Sequence, residues 1–151
     1  MPPRDELAKA CRTSQVIGVA MLASLGLYAL VANLIQKAHA PFAGFAPGAP
    51  HELLRWIFVA LALAGLGLTR VVQRAVFANQ ALPVLGRLTS AAVVALAQCE
   101  AIAVYGLVLF LLAGRVRDYY MFAALALVEF ALYFPRREAW AEQARAMPRA
   151  G

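Results

Sequence analysis

Four apolar stretches dominate the chain: Val16 to Ile35, Leu53 to Thr69, Leu88 to Ala113 and Tyr119 to Phe134. Between them lie short segments rich in charge, proline and glycine. A helix needs about 20 predominantly apolar residues to cross a bilayer. The first and third stretches meet that length with ease, and the last is barely long enough. The pattern predicts an all-α integral membrane protein, a four-transmembrane-helix bundle, built from spans at 16–35, 53–69, 88–113 and 119–134. A leader at 1–15 and a tail at 136–151 flank this 16–135 domain, and the tail is expected to form a surface helix through Ala146 with Trp140 in the headgroup layer.

The connections fit this reading. Gln36 to Glu52 contains Pro41, Pro47, Pro50, Gly44 and Gly48, a density that breaks helices. Past Thr69 the second helix is expected to run on through Arg70 and to turn near Pro83. Pro135 ends or kinks the last span. Arg55 and Trp56, and Tyr119, Tyr120 and Tyr133, are residues suited to the membrane interface. Small residues recur along two spans: Ala60, Ala62, Ala64, Gly65 and Gly67 on the second, and Ala91, Ala95, Cys99 and Ala103 on the third. Such surfaces let helices approach closely in lipid.

Composition supports the same class. Of the 151 residues 63% are hydrophobic and 15% charged, whereas a soluble domain is nearer half apolar and a quarter charged. The net charge of +6 comes from residues that flank the apolar runs, so membrane topology and anionic lipid explain it better than nucleic acid. Arg4, Lys9, Arg12, Arg70, Arg74, Arg87, Arg136, Arg137, Arg145 and Arg149 fall on one side, ten in all, against Lys37, Arg55, Arg115 and Arg117, four, on the other. The positive-inside rule then places both termini in the cytoplasm of a multi-pass cell-membrane protein. Cys11 and Cys99 have no metal-ligand or disulfide-framework spacing. His39, His51 and Glu52 share the first loop, a plain polar loop rather than a metal site. No histidine lies in a span, which argues against a haem held between helices, and no cofactor is expected.

The chemistry concentrates at one residue. Glu100 sits near the middle of the third span, where an ionised acid costs at least about 2.5 kcal/mol. It is therefore expected to be protonated or matched by a bound cation. Intramembrane carboxylates of this kind often lie on ion pathways. Glu129 is a second acid, in the last span. At 1.5 Å per residue, Glu100 lies about 20 Å below Gly114 and Glu129 about 16 Å below Asp118, so the two share a similar depth. Two readings follow for Glu129: it faces Glu100 and shares a proton, or it reaches toward Arg136 or Arg137, the favoured one. Cys99 is read as packing filler.

The run Glu100-Ala101-Ile102-Ala103-Val104-Tyr105-Gly106-Leu107-Val108 resembles the second helix of the membrane-ring subunit of rotary ATP synthases, the proteolipid or subunit c. The resemblance implies a proton or sodium ion carried on Glu100, with Gln98 and Tyr105 shaping its site. It also implies a helical hairpin whose polar loop is the Arg70–Arg87 connection. It is local, and of that family's glycine series only Gly65 and Gly67 have counterparts here. The first and third spans can also be superposed, with Ala20 on Ala97, Tyr28 on Tyr105, Leu30 on Leu107, Val31 on Val108 and Leu34 on Leu111, and Ala23 then takes the place of Glu100. Duplication and chance both account for that match.

Two functions remain open: an ion-carrying subunit of proteolipid type, or a non-catalytic accessory or assembly subunit in which Glu100 locks helices together by hydrogen bonding. The partners expected are the bilayer and other membrane subunits, including further copies of the chain, and not nucleic acid. No nucleophile–base set or phosphate loop marks an enzyme. Ala38-His39-Ala40 has the form of a signal-peptidase site, but the apolar run before it is too long and Pro41 follows. The first span is thus expected to be retained. The intact mass of the membrane-extracted protein checks this; a chain beginning at Pro41 rejects it.

Overall fold

The computed structural model describes residues 3–146, so that Arg149 and the extreme ends of the leader and tail lie outside the described residues. Five helices follow in order: α1 (Arg4–Ala38), α2 (His51–Ala78), α3 (Val84–Ala113), α4 (Val116–Tyr133) and α5 (Arg137–Ala146). There is no strand among the described residues. Three of the helices, α1, α2 and α3, are long and apolar enough to cross a membrane, which marks a multi-pass membrane protein. The 18 residues of α4 span about 27 Å, just under a hydrocarbon core of about 30 Å, and they include Arg117, Asp118 and Glu129.

The organising element is α3. It packs extensively against α1, α2 and α4, while α1 and α4 meet less closely and α2 has no extensive contact with either. The alanine stripe explains the central position. Ala91, Ala95, Cys99 and Ala103 are all buried, so neighbouring helices come close along that edge. Two turns on from Cys99 and on the same face, Gly106 lets α4 approach so closely that an added Cβ there would strike Phe122. The small residues of α2 divide: Ala62 is buried and Gly65 meets Gln98 of α3, while Gly67 has open space around it.

The leader is not separate from the first span. No proline or glycine interrupts Arg4 to Ile17, and Leu7, Ala10, Cys11 and Ser14 recur at helical spacing, so α1 runs through without a break. That face packs against Leu88 and Ala92 of α3 and against Trp140 and Ala144 of α5. Trp140 is therefore buried in a helix junction rather than turned out toward the headgroups, because α5 folds back after Pro135 and turns its apolar side inward. Gln15 fastens the same corner by donating to the Pro135 carbonyl at 2.9 Å. Tyr119 is likewise buried, its hydroxyl directed at the Leu25 carbonyl at 3.4 Å, whereas Tyr120 stays exposed and accepts from Asn33 at 2.7 Å.

Helix ends must satisfy their last carbonyls, and two local devices do so. At the end of α2, Arg87 reaches back from α3, donating through Nη1 to the Phe77 carbonyl at 3.2 Å and through Nε to Leu82 at 3.0 Å. Arg87 is almost fully buried, so it acts as a cap and not as a solvated charge. At the end of α3, the amides of Phe45 and Ala46 in the first loop donate to Leu111 and Leu112 at 2.8 and 3.0 Å. This close approach needs glycine at two places. Gly44 (φ 85°) and Gly114 (φ 69°) have left-handed backbones, and a Cβ on either would strike a carbonyl of the other segment.

Arg87→Met removes the donor from two carbonyls, each worth about 1–3 kcal/mol when left unsatisfied. The variant should lose about 2–3 kcal/mol of unfolding free energy in mixed micelles. Arg74→Met, at an exposed site, should stay within about 0.5 kcal/mol of the parent. Equal stability of the two variants counts against the capping role.

Candidate functional site

Glu100 projects from the face of α3 that meets α1. Its Oε1 atom accepts from Tyr28 Oη at 3.0 Å and lies 2.8 Å from Ser24 Oγ. Ser24 and Tyr28 are four residues apart, hence on one face of α1, and α1 and α3 pack side by side there. The carboxyl is only partly buried, at the edge of the groove. Ser24 Oγ is also 2.7 Å from the Met21 carbonyl of its own helix. A serine hydroxyl carries one proton. It donates either to Met21 or to Glu100, and the second contact is satisfied only when the partner supplies the proton.

Gln98 and Tyr105 are not among the hydrogen-bond partners of Glu100. Both turn to α2. Tyr105 stacks on Phe58, ring centres 5.4 Å apart and 14° from parallel, and the Gln98 amide lies against Gly65, where any Cβ would strike it. The Gln98 Nε2 is buried without a hydrogen-bond partner among the described residues. Positions 98 and 100 differ by about 200° around a helix, so two neighbours in sequence serve opposite sides of α3. The glycine of the Tyr105–Gly106 pair serves α4 instead.

Glu129 is buried at the α3–α4 interface, and neither carboxyl oxygen has a hydrogen-bond partner among the described residues. Its carboxyl neighbours the Cys99 thiol, and Cys99 directs its own hydrogen bond to the Ala95 carbonyl at 3.1 Å. Since Cys99 precedes Glu100, the two acids lie at one level on different sides of α3. Glu129 makes no ion pair with Arg136 or Arg137, contrary to the favoured expectation: Arg136 and Arg137 are exposed beyond the chain reversal at Pro135, while Glu129 faces the interior. An unpaired buried carboxylate is costly, which makes the neutral acid the stable form of Glu129.

Among the described residues, no group of three or more His, Cys, Asp and Glu side chains is placed to hold a metal ion. His51, the first residue of α2, pairs through Nε2 with the buried Asp118 at the start of α4. Sequence reasoning missed Ser24, Tyr28 and this His51–Asp118 contact. The signal for the first two was present: apart from Asn33, they are the polar side chains of the first apolar run, and they share a face. Comparison with family models, with curated proteins and with solved structures found no match.

Burial and hydrogen bonding separate the two acids in reactivity. A hydrophobic carbodiimide, which attacks protonated carboxyls from the lipid phase, should modify Glu100 at the groove edge well before Glu129, and before the exposed Glu138 and Glu142. Peptide mapping by mass spectrometry reads the order. Faster labelling of Glu129 contradicts the packing described here.

Proposed function

We propose that this protein is a four-span membrane subunit, both termini cytoplasmic, in which Glu100 takes up and releases a proton in the manner of a carrier of proteolipid type. The observation that carries this reading is the single Ser24 hydroxyl between two acceptors, the Met21 carbonyl and Glu100. With Glu100 protonated, its O–H donates to Ser24 Oγ while Ser24 donates to Met21. With Glu100 ionised, Ser24 turns its proton to the carboxylate and Tyr28 adds a second donor. The site thus supports two hydrogen-bonded states that differ by one proton. Magnitudes agree: bonds to a charged acceptor contribute about 1.5–3 kcal/mol each, and two of them offset the lower bound of about 2.5 kcal/mol for an acid at mid-membrane. Both hydroxyl oxygens stand at hydrogen-bonding distance from the carboxyl, which favours a proton over sodium. The ten-to-four distribution of basic residues supports the orientation, and the near-spanning length of α4 supports the fourth crossing.

A second reading rests on the same bonds. They are polar ties between α1 and α3, and an accessory subunit would use Glu100 as a permanently protonated lock. The two readings separate by substitution. Glu100→Gln retains shape and a donor but exchanges no proton. For the carrier, proton flux in reconstituted vesicles should fall to background while folding and assembly persist. For the lock, Glu100→Gln should be nearly silent, and Glu100→Leu should weaken the α1–α3 contact. Undiminished flux through the Gln variant rules out the carrier.

A further inference from the structure

At the end of the bundle where α2 and α4 begin, a cavity of about 450 Å³ is lined by Arg55, Arg115, Arg117 and Asp118. That volume lies within the range of small-ligand sites, roughly 300–1,000 Å³. Three features make it a site for an anion. Its one acid, Asp118, is already engaged by His51. Arg115 and Arg117 project with no hydrogen-bond or ion-pair partner among the described residues, while Arg55 is held in place by Glu52 at 2.8 Å and lies 5.7 Å from the Trp56 ring centre. The cavity also opens at the N-terminus of the 18-residue α4, whose unpaired amides and dipole favour negative charge. Arginine forks match phosphate oxygens two at a time.

The surroundings identify the source of the phosphate. Met121 lines the cavity and is exposed, as is Trp56, the neighbour of Arg55 in sequence. Exposed apolar side chains of α2 and α4, Leu61 and Leu125 among them, continue from this level along the bundle. Charge at the helix ends above an apolar wall is the arrangement of a phospholipid headgroup above its acyl chains. We propose that this cavity binds the phosphate of an anionic phospholipid, at a site distinct from Glu100 and independent of any role for that residue.

Native mass spectrometry of the full chain in mild detergent, titrated with phosphatidylglycerol or phosphatidylcholine, tests this. Phosphatidylglycerol should bind in preference. Arg115→Gln/Arg117→Gln should weaken it about thirtyfold, the loss of about 1 kcal/mol of charge attraction for each of the two arginines. Arg70→Gln/Arg74→Gln removes the same charge elsewhere and should leave binding unchanged. Arg115 and Arg117 are both exposed, so the first variant should keep the parent melting temperature. If it does not, Arg115→Lys/Arg117→Lys, which retains charge but loses the fork, should still weaken binding about threefold. Equal weakening by the two glutamine pairs, equal binding of the two lipids, or displacement of lipid by millimolar inorganic phosphate overturns the assignment.

Discussion

A polar group inside an apolar bundle must find a hydrogen-bond partner or give up its charge, and the interior of this protein is arranged by that constraint. Glu100 and Glu129 lie at one level on α3 and resolve it differently. Glu100 meets two hydroxyls from α1. Glu129 meets none and is enclosed by α3 and α4. The first group has partners for either protonation state, and the second has partners for neither. Arg87 obeys the same rule from the other sign: its guanidinium is buried because two carbonyls at the α2–α3 turn need donors.

The same constraint explains why α3 is central. Its terminal carbonyls are closed by loop amides and the turn before it is closed by its own arginine. The helix is fixed at both ends, and its three sides are free to receive α1, α2 and α4. Each side has its own chemistry. The α1 side bears the carboxyl, the α2 side bears Gln98 and Tyr105, and the α4 side is cut back to Gly106 and the alanine stripe. The Tyr105–Gly106 pair, set beside Glu100 by sequence, therefore serves packing on two other faces.

Much of the fold was legible because long apolar runs with proline-rich breaks admit few arrangements. The turn before Pro83, the α5 segment ending at Ala146 and the small-residue stripe of α3 all follow from periodicity and breakers. What was not legible depends on which faces meet. Nothing local in Trp140 distinguishes a headgroup anchor from a buried junction; the fold-back of α5 decides it. Nothing near Arg87 marks it as a cap, since its acceptors become available only when α2 ends at Ala78. For the carboxyl site, the acid was evident from its cost and its level with Glu129 from helix rise. Its donors lie two helices earlier in the chain, and only the packing of α1 on α3 brings them together.

That distance in sequence has a bearing on biogenesis. Ser24 and Glu100 are 76 residues apart and Tyr28 and Glu100 are 72 apart. A chain made from its N-terminus exposes the hydroxyls of α1 to lipid well before the acid has been translated. Ser24 is provided for during that interval, because the Met21 carbonyl of its own helix accepts its hydrogen bond. When α3 docks, the serine is already spent as a donor and offers an oxygen lone pair. The nascent helix thus waits as an acceptor, and a carboxyl arriving with its own proton completes the site without any earlier bond being broken.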